Sequence, residues 1–325
     1  MQTTLTILET VFLILSIVVV LAAVAAAVLL ILRIMSANRA ERRESDSDLQ
    51  ITDLGKQLAE RANKVKRRLM PKKERKELAK RSKAEASTEN YNSTVFVIDF
   101  RPKLRAREVE TLRKEVDVIT QLATPRDEVL VRIDSPGGTV TGYGHAASQL
   151  LRIHNIGVPL TICVDEIAAS GGYMCAAVAD KIVAAPFAFI GSIGVVAGIP
   201  NFVGLMNKLG VRYFELTAGE NKRTLTPFSE PTPEKQAVEQ QRLEAIHRAF
   251  KELIKKRRPN LDIDRVADGN YWLAVDAKEL GLVDMIQTSD EYLLEQARAS
   301  RRILKISCER KGHRILSNLL DSLGD

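Results

Sequence analysis

The chain has 325 residues, 45% hydrophobic and 27% charged, with 48 Lys and Arg against 41 Asp and Glu and a formal net charge of +7. That is long enough for one large domain with a full core and for further segments beside it. Cys163, Cys175 and Cys308 are the three cysteines, an odd set, the first two in apolar core-like contexts, so no disulfide framework is implied.

Residues 1–9 form a short leading segment with Glu9 and no Lys or Arg. Thr10 to Leu32 follows, 23 residues without a charge. As a helix it would extend about 35 Å against a hydrocarbon core of ~30 Å, so residues 10–32 are expected to be a transmembrane anchor. A cleaved signal peptide fits less well. The apolar run continues past the small residues Ala22 to Ala27, and no basic cluster leads it.

Residues 33–92 read as a charged juxtamembrane linker. Residues 33–85 hold 17 Lys and Arg against 9 Asp and Glu, an excess of +8 that accounts for the basicity of the whole chain. With few large apolar residues, this arm is expected to be a partly helical or disordered spacer near anionic lipid. Residues 33–85 have no Phe, Tyr or Trp to interleave with their charges, which argues against a nucleic-acid partner.

Residues 93–290 carry the folded domain. Strands are expected at Val95 to Asp99, Val129 to Asp134, Leu160 to Val164, Lys181 to Ala184 and Tyr213 to Thr217. They alternate with helices near Ala106 to Leu122, Val140 to Ile153, Tyr173 to Ala179 and Glu234 to Lys256. Such alternation implies β–α–β units, hence an α/β domain with a mostly parallel sheet and helices on its faces. The uncharged stretch Ile182 to Asn207 is punctuated by four glycines and two prolines, so it reads as short buried strands and turns rather than a second span.

Two glycine turns stand out. The first, Asp134-Ser135-Pro136-Gly137-Gly138, follows a strand and can present backbone N–H groups without Cβ obstruction. The second, in Ala168-Ala169-Ser170-Gly171-Gly172-Tyr173, places a hydroxyl between a strand and a helix N-terminus, where N–H groups and a partial positive charge gather. Serine needs a base to take its proton. His145, His154, His247 and His313 belong to no turn that faces Ser170 and read as structural or surface residues. A buried lysine can serve instead, because desolvation disfavours the ammonium. Lys222, after a glycine turn at Gly219-Glu220-Asn221, is the best-placed lysine. Ser170 also suits a simple helix N-cap, Ser192 and Gly137 simple turns, and Lys222 a solvated loop.

Four motifs in order, Asp-Ser-Pro-Gly-Gly, Ala-Ala-Ser-Gly-Gly-Tyr, Ile190-Gly191-Ser192-Ile193-Gly194-Val195 and Ala277-Lys278-Glu279-Leu280-Gly281-Leu282-Val283-Asp284, resemble the signal peptide peptidase A family of membrane serine peptidases. The resemblance covers residues 93 to 286. It implies a ClpP/crotonase-like spiral fold, Ser170 as nucleophile, Lys222 as general base and Ser192 as the hydroxyl that orients the lysine. Gly138 and Gly171, with Gly137 beside them, are implied to form the oxyanion hole. Two positions depart from the family pattern: Asn221 stands where a tyrosine often precedes the lysine, and Asn270 where a basic residue commonly follows the glycine. The implied enzyme is a serine endopeptidase working through an acyl-enzyme, without metal or nucleotide cofactor, on extended apolar peptides such as signal peptides or damaged membrane proteins. It is expected to assemble as a homo-oligomer.

Two other classes fit parts of the pattern. An acyl-CoA hydratase or isomerase shares the spiral fold but relies on carboxylates rather than Ser and Lys. A catalytically silent membrane scaffold would keep the fold and the charged arm.

The expected location is the bacterial cytoplasmic membrane, with the face left open. Arg33, Arg39, Arg42 and Arg43 follow the span and none precedes it, which places the domain in the cytoplasm by charge asymmetry, whereas the family implies the extracytoplasmic side. Residues 291–325 suggest a strand at Ile303 to Ile306 and an amphipathic helix at Arg314 to Leu323, either covering a groove, meeting a neighbouring subunit, or fraying.

Overall fold

Parallel strands covered on both faces need apolar residues at consecutive positions, and this chain supplies them: every residue of Val129 to Val131 and of Leu160 to Val164 is buried. A computed structural model describes residues 48–71, 74–75, 91–219 and 221–309. The expected anchor at 10–32, much of the basic linker and the helix at 314–323 lie outside the described residues. No helix among the described residues is long and apolar enough to cross a membrane.

The chain divides into two compact units, Met1–Gln50 with Cys308–Asp325, and Ile51–Ser307. Of the first, residues 48–50 and 308–309 are described, in the ends of two strands. The second holds the core and both cavities considered below.

The strands are β1 (Asp48–Asp53), β2 (Ser93–Phe100), β3 (Glu128–Ser135), β4 (Leu160–Ala169), β5 (Lys181–Ala184), β6 (Phe189–Gly191), β7 (Tyr271–Leu273), β8 (Met285–Ile286) and β9 (Arg301–Glu309). They form one sheet in the order β1-β9-β2-β3-β4-β5-β8, with β6 paired to β4 and β7 to β6. Pairings from β9 through β2, β3, β4 and β5 to β8 are parallel, and only β6 with β7 is antiparallel among the registers resolved. The domain is thus a mixed α/β fold.

Helices α1 (Leu54–Leu69), α2 (Val109–Leu122), α3 (Val140–Asn155), α4 (Gly171–Ala176), α5 (Val203–Lys208), α6 (Pro233–Arg257), α7 (Ile263–Val266), α8 (Ala274–Glu279) and α9 (Ser289–Arg298) complete it. Helix α2 buries Val109, Leu112, Val116 and Ile119, and α3 buries Tyr143, Ala146, Ala147, Leu150 and Ile153. That i, i+3, i+4, i+7 spacing lays one stripe of each against the sheet. Alternation along β2 sends Phe96 and Ile98 to this larger core, and Val95 and Val97 to a smaller one with Leu130, Cys163, Tyr292 and Leu293. Burial pushes the thiols of Cys163 and Cys175 far above their ordinary range.

Three expectations need correction. Tyr213 to Thr217 is not a strand: it pairs with no described strand, and Phe214 and Leu216 are 82% and 98% exposed. Its β-branched and aromatic character marks a segment suited to a strand, but without a partner ladder that propensity has no effect. Strand β4 runs to Ala169 rather than ending at Val164, because its second half finds a partner in β6, with Ala169 opposite Gly191. Residues 291–309 are no appendage, since β9 pairs with β2 from Ser93 to Val97 in the interior of the sheet order.

Candidate active site

Strand β3 shifts register against β4 between Ile133 and Ser135, which turns its end out of the regular ladder. Ser135 is fully buried there; its Oγ accepts the Gly137 N–H at 3.1 Å and hydrogen-bonds Tyr143 Oη at 2.7 Å. The chain after it is pinned by the Thr139 N–H, which donates to the Leu104 carbonyl at 2.9 Å.

The second turn arrives from β4. Ser170 sits at φ 51°, ψ −118°, a left-side backbone conformation that a non-glycine residue adopts only when its surroundings over-determine it. Those constraints are visible: the Ser170 N–H donates to the Gly191 carbonyl at 2.8 Å, and the Ser170 carbonyl accepts from Met174 at 2.9 Å. Ser170 makes no side-chain cap bond to α4, so the N-cap role that its position suggests is not the one it fills.

The two turns interlock through their glycines. A Cβ on Gly138 would lie 2.8 Å from Tyr143 Cε2, and one on Gly171 would lie 2.7 Å from Tyr143 Cδ1. One tyrosine ring therefore backs both turns. A Cβ on Gly137 would stand 2.7 Å from the Ser170 Cβ, which fixes the first turn directly beside the serine. The Gly137 N–H is already taken by Ser135 Oγ, whereas the Gly138 and Gly171 N–H groups have no acceptor among the described residues.

Ser170, Gly137, Gly138, Gly171 and Ser192 all line one cleft of about 970 Å³. Ser192 is half-buried at φ 52°, its N–H donating to the Asn270 carbonyl at 2.6 Å. The remaining walls are largely apolar, including Met174, Val195, Leu243 and Phe250, and α6 adds Gln240, Glu244 and His247.

Lys222 is elsewhere. It is exposed, does not line the cleft, and sits in a turn whose Lys222 N–H donates to Gly219 at 3.1 Å. That turn is tied to α6: Arg242 donates to the Asn221 carbonyl at 2.9 Å and to Thr224 Oγ1 at 3.2 Å, and buried Thr224 also bonds Glu239. The structure thus brings five of the six expected site residues together and leaves the sixth outside, on a turn held by the same helix that walls the cleft.

His247 was expected to be structural or superficial. Instead it lines the cleft, and its Nε2 is buried without a hydrogen-bond partner among the described residues. The signal was available in the spacing of Gln240, Leu243, Glu244 and His247 on one helical face, but nothing in the sequence indicated which face turns to Ser170. His154, by contrast, is half-buried, bonds Asp180 at 3.0 Å and does not line the cleft.

Residues 152–302 match the peptidase family S49 model, and residues 6–150 match the peptidase family S49 N-terminal model. The chain is 45% identical to "Probable protease SohB" of Haemophilus influenzae over 75% of its own length and 68% of that protein's. It is 48% identical to "Probable protease SohB" of Buchnera aphidicola from Acyrthosiphon pisum over 64% of its length, spanning 62% of that relative. The solved structure of the 1510-N membrane-bound stomatin-specific protease in complex with a substrate peptide aligns with 63% of this chain and 80% of its own, at 16% identity and a TM-score of 0.42.

Proposed function

Because this chain belongs to peptidase family S49, we infer that it is a serine endopeptidase whose nucleophile is Ser170. The observation that carries this reading is the strained Ser170, with no cap bond of its own, wedged against the Gly137-Gly138 turn in a cleft wide enough for a peptide. In the proposed reaction a base removes the hydroxyl proton as Oγ attacks a peptide carbonyl. The Gly138 and Gly171 N–H groups donate to the oxyanion, each such donor being worth roughly 3–4 kcal/mol in a related system. The protonated base then gives its proton to the leaving amine, and water hydrolyses the acyl-enzyme.

Lys222 is the proposed base, with Ser192 orienting it, and this requires the segment 211–225 to fold over the cleft. Two features favour such a closure. The turn is already fastened to α6 through Arg242 and Thr224. Phe214 and Leu216 are largely exposed, and each would gain about 1.5–3 kcal/mol if buried by the movement or by a neighbouring subunit. Burial would also strip water from the ammonium, the condition under which it can act as a base. The apolar lining of the cleft suits extended apolar peptides. We read the fold as a ClpP/crotonase-like spiral, residues 10–32 as a membrane anchor with the basic linker beside it, and the working form as a homo-oligomer.

A second reading rests on one observation: the buried, partnerless Nε2 of His247 in the same cleft makes it an alternative base. Hydrolysis of an unfolded protein by the wild type, Ser170→Ala, Lys222→Ala and His247→Ala separates these. Activity lost in the serine and lysine variants but kept in the histidine variant supports the dyad. Activity lost in the serine and histidine variants alone transfers the base to His247, and full activity of Ser170→Ala removes the peptidase reading.

A further inference from the structure

Helix α1 is an unusual element to find on a folded surface, because none of its 16 residues is buried. Leu58, Val65 and Leu69, spaced seven and four apart and so on one stripe, are 40%, 58% and 82% exposed. Yet the helix is fixed at its start. The Asp53 carboxylate accepts the Lys56 N–H at 3.0 Å and pairs with Arg302 at 3.2 Å, and Leu54 packs on the smaller core.

Between α1 and α9 lies a second cleft of about 970 Å³, on a different set of elements from the Ser170 cleft. Seven of its lining residues are Lys or Arg, and Glu60 is its one carboxylate. Arg301 is engaged with Glu128, Gln296 and Ser93, and Arg75 with the Met70 carbonyl. Lys64, Arg67 and Arg68 on α1 and Arg298 on α9 have no ion pair among the described residues. Like charges around one concavity repel, and an anion seated between them relieves that repulsion.

We propose that α1 lies on an anionic bilayer surface, its Leu58–Val65–Leu69 stripe entering the headgroup region while the cleft between α1 and α9 receives phospholipid phosphate. An exposed apolar stripe flanked by Lys and Arg is the pattern of an interfacial helix, and cations without an ion pair among the described residues select anionic headgroups over zwitterionic ones. A soluble phosphate would satisfy the cations but gives no account of the three exposed aliphatic side chains. The proposal deepens the membrane-anchored reading and is independent of the chemistry at Ser170.

The test uses the full chain on phosphatidylcholine discs and on discs with added phosphatidylglycerol, reading hydrogen–deuterium exchange of amides 54–69. Retention on discs of either composition reports the anchor; the difference in exchange between compositions reports the cleft. Exchange should slow on the order of tenfold on the anionic discs. That protection should be lost in Lys64→Gln/Arg67→Gln/Arg68→Gln and reduced in Arg298→Gln, which alters the opposite wall and leaves α1 intact. Equal exchange on the two compositions overturns the proposal, as does protection that survives both variants. Protection by inorganic phosphate on phosphatidylcholine discs overturns the bilayer as its source.

Discussion

Gly171 and Tyr143 are in such close apposition that a Cβ on the glycine would lie 2.7 Å from the tyrosine Cδ1. Tyr143 is fully buried and cannot retreat without disturbing α3. Gly171→Ala should therefore cost roughly 1–3 kcal/mol of stability by overpacking. It should also lower kcat on the order of 10²–10³-fold by displacing one oxyanion donor. Thermal melts together with steady-state hydrolysis check both parts, and an alanine variant with wild-type kcat would show that this N–H takes no part.

Tyr143 also reaches the other turn through its hydroxyl, bonded to Ser135 Oγ at 2.7 Å while that oxygen accepts the Gly137 N–H. Tyr143→Phe keeps the ring behind Gly138 and Gly171 but leaves the buried Ser135 hydroxyl short of a partner. The expected loss is about 1–3 kcal/mol of stability. The kcat should fall several-fold with KM nearly constant, measured on the same peptide as the wild type.

The parts of the site that were legible in the sequence are those where chemistry and backbone coincide. Gly137, Gly138, Gly171 and Ser170 could be placed because tight turns after apolar strands leave few alternatives to glycine. The strands themselves were legible because double-sided burial demands unbroken apolar runs, as in Leu160 to Val164. What could not be read was long-range. The extension of β4 to Ala169 depends on a partner, β6, of only three residues. The segment Tyr213 to Thr217 carries the composition of a strand and finds no partner among the described residues. The face that α6 turns to the cleft, and with it His247, is set by packing against elements far away in the chain. For Lys222, residue type and turn were legible, whereas its place outside the cleft is set by how the chain around it packs in space.

The turn carrying Lys222 is held on α6 by Arg242, which donates to the Asn221 carbonyl at 2.9 Å. If Lys222 is the base, Lys222→Ala should lower kcat on the order of 10²–10⁴-fold. Arg242→Ala, which frees the turn without touching the amine, should lower kcat less and be partly restored in Arg242→Lys. His247→Gln should then raise KM and spare kcat, because the side chain meets substrate in the cleft without moving the proton. Kinetics of the four variants decide the assignment, and a kcat collapse confined to the His247 change would move the base there.

Acid should destabilise the fold through specific carboxylates. Burial opposes ionisation of Asp284, but hydrogen bonds from Arg258 and the Ile182 N–H outweigh it and hold its pKa below the ordinary 3.8. Asp99 is half-buried; partial desolvation opposes its ionisation too, and Arg132 and Lys305 outweigh it and hold its pKa down. Such groups bind a proton less readily folded than unfolded, so their contribution is present above about pH 4 and is lost as pH falls through the folded value. Melting temperature followed from pH 7 to pH 3 should fall most steeply below pH 4, and Asp284→Asn should flatten that slope while lowering stability at pH 7 by about 0.5–1 kcal/mol, because the pair is partly exposed and screened by solvent.

The central claim is that Ser170 is an activated nucleophile, and covalent labelling of the full-length protein by a fluorophosphonate tests it most directly. Peptide mass spectrometry should find the phosphonyl adduct on Ser170, absent from Ser170→Ala and strongly slowed when the base is removed. Protein that hydrolyses peptide bonds while Ser170 stays unmodified, or that is labelled equally after Ser170→Ala, would contradict the account.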